Sequence, residues 1–99
     1  MRTVNFESIA VSTTAIGFTA ANLVRDAASP PSAAHVQVLE APINIRQDGT
    51  NPTGAAGGGT RYEPNSVFVV SSLPDMANFR AIRVTDAAQD ARINVTFMA

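Results

Sequence analysis

The segment Arg92-Ile93-Asn94-Val95-Thr96-Phe97 alternates without a break between polar and apolar residues. A repeat of two sends Ile93, Val95 and Phe97 to one face and Arg92, Asn94 and Thr96 to the other, the mark of a strand with one buried face. Ile43-Asn44-Ile45-Arg46 follows the same rule, and so do Val36 and Val38 within the stretch from Ala34 to Glu40. Phe79 to Val84 also alternates, with Ile82 and Val84 on the face opposite Phe79. Val67-Phe68-Val69-Val70 is apolar throughout, which predicts a strand covered on both faces.

Turn signals separate these runs. Ser29-Pro30-Pro31-Ser32 divides the first third from the rest, and Leu73-Pro74-Asp75-Met76 reads as a turn after the apolar run. Asp86 to Ala91 reads as one helical turn or a hairpin loop, and Thr19 to Ala28 is the one stretch with a short-helix pattern. The first twelve residues read either as an edge strand or as an exchanged N-terminal arm. Short strands at this spacing predict an all-β fold, an antiparallel two-sheet sandwich (immunoglobulin-like or jelly-roll-like) of about six to eight strands. Residues 1–99 are expected to form a single domain, with Ile43, Ile45, Phe68, Val70, Ile82, Ile93, Val95 and Phe97 in its core.

Composition narrows the chemistry. At 99 residues, folding buries about two-thirds of the chain's surface, enough for one core. Hydrophobic residues make up 45% but aromatics only 6%, so much of that core is built from small side chains. Without cysteine there is neither disulfide nor thiolate chemistry. The seven basic residues are all arginine and are scattered, whereas a nucleic-acid footprint needs clustered positive charge, so no nucleic-acid partner is expected. No run reaches the roughly 20 apolar residues of a membrane helix, and Glu7 argues against reading the N-terminus as a secretion signal; no membrane association is expected.

The most legible stretch comes after the strand at Ile43. In Gln47-Asp48-Gly49-Thr50-Asn51-Pro52-Thr53 the Asp48 side chain can accept a hydrogen bond from backbone two residues on, and Gly49 can take a positive φ. Pro52 fixes its own φ and pushes Asn51 to extended geometry. A structural corner at Asp48, Gly49, Thr50, Pro52 and Thr53 is therefore expected, followed by a mobile tip through Gly54, Gly57, Gly58 and Gly59. The chain returns through Arg61 and Tyr62, and this loop is the candidate contact surface, projecting from one end of the sandwich.

This strand, the Asp-Gly-Thr-x-Pro-Thr corner and the glycine loop resemble two groups of proteins. One is the immunoglobulin-like accessory domain at the C-terminus of chitobiase-type enzymes. The other is a group of small bacteriophage virion structural proteins, in which segments similar to Ala77–Arg83 and Ala91–Phe97 follow in order. The second resemblance spans Val36 to Phe97. Gln47 departs from the Leu or Val of many accessory domains. Neither group supplies catalytic residues.

Sharper chemistries fail on spacing. A phosphate loop needs Lys after its glycines, and Gly59 is followed by Thr60 and Arg61. Asp48, Thr50 and Asn51 lack the ligand spacing of a calcium loop. His35 is the only histidine and has no nucleophile elbow to serve. A sugar platform of Tyr62 with Phe68 and Phe79 has little support in a chain with one Tyr and no Trp: the phenylalanines read as core, and Tyr62 stays open. The expectation is thus a protein that is not an enzyme and uses no cofactor or metal. The resemblance implies a virion component that decorates or cements the head, or sits at neck or tail as adaptor or fibre base. Its partners would be capsid or tail subunits and its own copies, with a trimer favoured. The alternative is a non-catalytic carbohydrate- or cell-surface-binding module.

Overall fold

The computed structural model describes residues 2–24 and 30–99. Among them seven strands form two antiparallel sheets. In chain order they are β1 (Thr3–Val11), β2 (Ala33–Leu39), β3 (Ile43–Arg46), β4 (Thr60–Tyr62), β5 (Val67–Val70), β6 (Arg80–Arg83) and β7 (Ala91–Met98). Two short helices, α1 (Ala20–Val24) and α2 (Leu73–Asn78), complete the described elements. The larger sheet has the order β1-β7-β2-β5 and the smaller β4-β3-β6. The fold is an all-β sandwich, with the last strand inserted between the first two.

Alternation translates directly into burial. Along β7 the residues Ala91, Ile93, Val95 and Phe97 are buried and those between them are half-exposed. Val36 and Val38 of β2 and Ile43 and Ile45 of β3 close the core from either side. Bulk comes from aromatic contacts that span the two layers. Phe18 stacks on Phe79 with ring centroids 4.3 Å apart and meets Phe97 edge-on at 5.5 Å. Phe68 lies 6.2 Å from Phe79 and 4.2 Å from Tyr62.

The chain changes sheet in tight turns, and two of these place a non-glycine residue at positive φ. Asn65, at +72°, follows Pro64 in the turn closed by Ser66 N donating to Glu63 O at 3.2 Å, the residue order a type II turn favours. Glu40, at +76°, lies between β2 and β3, and its carbonyl accepts from Gln89 Nε2 at 2.9 Å. Within the chain β1 is an edge strand, pairing with β7 from Thr3 through Val11. Glu7 on this strand anchors the start of α1. Its carboxylate accepts from Thr19 N at 3.1 Å, Thr19 Oγ1 at 2.5 Å and Asn22 Nδ2 at 2.8 Å.

Three expectations change. Leu73 to Met76 opens a helix rather than a turn, because Ser72 caps it by accepting from Asp75 N at 3.2 Å and Pro74 is tolerated in a first turn. The helix expected over Thr19 to Ala28 is seen as α1, and its stretch from Arg25, like Ser29 of the proline turn, lies outside the described residues. Val67 and Val69 are exposed, since β5 is an edge strand with only Phe68 and Val70 turned inward. Ile82 is not core but half-buried on the outer face of β6, where it pairs with Asn44. Phe79 and Ala81 face inward instead. An aromatic ring removes more surface from water than an isoleucine, so the bulkier residue takes the interior.

Truncation should reproduce this register. Phe79→Ala is expected to cost about 3–5 kcal/mol and Ile82→Ala about 1 kcal/mol, measured by denaturant unfolding. The opposite ranking would place Ile82 inside.

Candidate contact loop

Strand β3 carries the loop on its outer side. Ile43 and Ile45 point into the core, so Asn44 points away from it, yet Asn44 is only 3% exposed. The loop itself covers it. Asn44 Nδ2 donates to Thr53 O at 2.9 Å and Ala55 O at 3.1 Å. Thr53 N donates to Gly58 O at 3.0 Å, and Gly58 N to Ala55 O at 2.9 Å, closing the segment on itself. Thr85 N donates to Gly54 O at 2.9 Å and fastens the loop to the chain beyond β6. The glycine segment is therefore not a free mobile tip but a folded cover over the smaller sheet. Small residues are needed because backbone passes so close: a Cβ on Gly58 would lie 2.1 Å from Thr53 Oγ1 and 2.4 Å from Thr53 O. Only at Gly57 is the surrounding space open.

The corner leading into the loop is an Asx turn. Asp48 Oδ1 accepts from Thr50 N at 3.2 Å, and Gly49 sits at φ +84°. Pro52 is buried while Thr50 and Thr53 are exposed. Arg46 at the end of β3 forms a two-pronged ion pair with Asp48. The hydrogen bond from Arg46, followed by that from the Thr50 amide, holds the Asp48 carboxyl below the usual carboxylate range. The same pair raises Arg46. Both side chains are solvent-exposed, so the attraction is screened and its main effect is to orient the turn.

Arg61 and Tyr62 part company. Arg61 is exposed, pairs with Glu63 and reaches Asp86 at 3.8 Å. With Asn44, Thr85 and the glycine backbone it lines a shallow cavity of about 380 Å³. Tyr62, one residue on, points to the opposite face and stacks on Phe68 with rings inclined by 21°. It packs, half-buried, against the core on the face away from Arg61. The sugar platform suggested by Tyr62, Phe68 and Phe79 is thus not assembled, because Phe68 and Phe79 are buried.

The remaining ionisable groups serve the surface in the same way. Arg83 pairs with Asp90 at 2.7 Å and Arg92 lies 3.8 Å from Glu40. Asp75 occupies the first turn of α2, where a negative charge suits the helix dipole. His35 is exposed on the outer face of β2. Among the described residues no three His, Asp or Glu side chains gather as a metal site requires, and no helix is long and apolar enough to cross a membrane. Asn44 is the residue that the sequence pattern alone passes over. Its signal is that Asn is disfavoured inside strands, so one flanked by two core isoleucines invites a specific role.

Comparison of the chain with protein-family models, curated proteins and solved structures found no match.

Two measurements test this arrangement. Asn44→Ala strands two loop carbonyls and is expected to cost about 1–3 kcal/mol, with faster hydrogen exchange at the Thr53, Gly58 and Thr85 amides. Unchanged exchange would show that the loop holds itself. In an NMR titration Asp48 should ionise below an ordinary aspartate, and Arg46→Ala should move it back up. Because the folded-state value is the lower one, the contribution is present above the unfolded-state value and fades as pH falls through the folded-state value. It should weaken with added salt.

Proposed function

We propose that this protein is a non-catalytic structural component of a bacteriophage particle, an accessory subunit that decorates or cements the head or sits at the neck or tail as adaptor or fibre base. The observation that carries the reading is the pinned loop. Between Asp48 and Arg61 the chain is held by the Asx turn, the Asn44 amide and the Thr85 amide, and its outer surface is small side chains and backbone. A surface already held in one conformation loses little entropy when a second protein settles on it. Glycine and alanine let that protein approach closely.

The sequence resemblance over Val36 to Phe97 supports the same reading, and it is what directs the proposal to a phage particle rather than to any assembly. In it the partners are capsid, neck or tail subunits, and the protein acts from the virion. A small interface suffices where many copies bind one lattice, since multivalency multiplies weak contacts. The carbohydrate- or cell-surface-binding alternative rests on the resemblance to chitobiase accessory domains, and Tyr62, the ring it would use for a sugar, is stacked on Phe68.

The test begins with particles from the phage or prophage whose genome carries the gene. The protein should be found in purified particles, and recombinant protein should rebind particles made without it. Ala56→Arg alters an exposed position of the loop. It should leave the melting temperature unchanged and weaken rebinding at least tenfold. Absence of the protein from particles, together with failure to bind them, would overturn the reading.

A further inference from the structure

Two open sheets have four free edges, and they differ in how they are protected from pairing with another chain. Backbone at Ser12 and Ile16 covers β6: Ile16 N and Ala81 N each donate to the other residue's carbonyl, at 2.9 and 2.8 Å, and Arg83 N donates to Ser12 O at 2.9 Å. On β1, the longest edge, the register shifts between Thr3 and Asn5 and the outward N–H of Phe6 is taken by Asn5 Oδ1 at 2.8 Å, so this edge is blunted toward its start. Strand β4 is three residues long and carries the Arg61–Glu63 ion pair at its end. Short length, charge and a covering segment are the ordinary means of keeping an edge from pairing with another chain.

The fourth edge is short too, at four residues, but it carries neither charge nor a covering segment among the described residues. Strand β5 pairs with β2 on one side only, and nothing among the described residues pairs with the other. Val38 N donates to Ser66 O at 2.9 Å, and the antiparallel alternation then turns the backbone groups of Phe68 and Val70 toward β2. Those of Val67 and Val69 point outward. These two residues are 64% and 49% exposed, with their side chains on the outer face of the sheet. From Pro64 to Ser72 no residue is charged, and the strand itself contains no proline or glycine.

We propose that β5 is a self-association edge, which pairs antiparallel with β5 of a second copy of this chain about a two-fold axis at Phe68. In that register Val67 faces Val69 of the second copy, and these are the residues whose N–H and C=O groups are free. The strand is complementary to itself: two β-branched residues meet two β-branched residues, and a neutral segment brings no like charge against its own copy. A three-fold ring, the order the resemblance implies, would need β5 to join a different edge, whereas a two-fold pair uses β5 alone. Four residues bury much less than the 1,200–2,000 Å² of a stable interface, so the dissociation constant should be about 10 μM or weaker. The inference stands whether or not the protein belongs to a phage particle.

Sedimentation equilibrium of the full chain across a wide concentration range tests it. The wild type should fit a monomer–dimer equilibrium. Val69→Pro removes an outward N–H that β2 does not use, so the fold should survive by circular dichroism while association falls at least tenfold. Val67→Lys should weaken association similarly, and the double variant Val67→Lys/Val69→Glu should restore it by setting each Lys opposite a Glu. A wild type that stays monomeric at millimolar concentration, or a dimer indifferent to Val69→Pro, would overturn the proposal. Failure of the double variant to recover would overturn the register. Binding of a different protein by this edge without self-association would reject a second copy as its occupant.

Discussion

The two layers of this sandwich are joined by a line of aromatic rings. Phe97 leans on Phe18, Phe18 lies flat on Phe79, Phe79 adjoins Phe68, and Phe68 carries Tyr62. Five of the chain's six aromatic residues are used in it, and only Phe6 is left outside. In a core where many remaining positions are alanine or valine, these rings supply most of the large apolar surfaces that can be removed from water. Their placement fixes much of the rest. Phe79 at the inward position before β6 puts Ile82 outside, and Tyr62 on the inner face of β4 puts Arg61 on the outer face.

The outer face of the smaller sheet depends on that same alternation. Once Ile43 and Ile45 are committed inward, Asn44 must point outward, where an uncovered amide would gain nothing from water exclusion. The loop over it makes Asn44 a clamp. Strand, Asx turn and glycine cover thus form one unit. Its rigidity comes from a buried amide and close backbone packing, and the exposed Arg46–Asp48 pair mainly orients the turn. A surface of this kind, shaped and held in advance, suits the contact with another folded protein that we propose for it.

The larger sheet has a different character. Inserting β7 between β1 and β2 makes the most regular strand of the sequence a central one and pushes β5 to the rim. An apolar run that would suit a covered strand therefore lies at an edge, with alternate valines facing solvent. That rim draws its interest from two exposed valines and free backbone groups lying together on a strand without charge.

Strand positions were readable from sequence wherever a repeat of two ran for four residues or more, as at Ile43–Arg46 and Ala91–Met98, because side-chain alternation is a local property of extended backbone. The Asp48-Gly49 turn was readable for the same reason: its hydrogen bond spans two residues. Helix α2 was written in Ser72, Pro74 and Asp75 as capping chemistry, but a proline after an apolar run reads equally as a turn. Strand order, by contrast, is set by which faces and edges meet across long stretches of chain. The choice of Phe79 over Ile82, the exposure of Val67 and Val69, the inward turn of Tyr62 and the burial of Asn44 beneath its own loop all result from that meeting. Local pattern determined which segments are strands and where the chain bends. Only the packing of one sheet on the other decided which side chains became core, clamp or open edge, because burial is a property of neighbours that are distant in sequence.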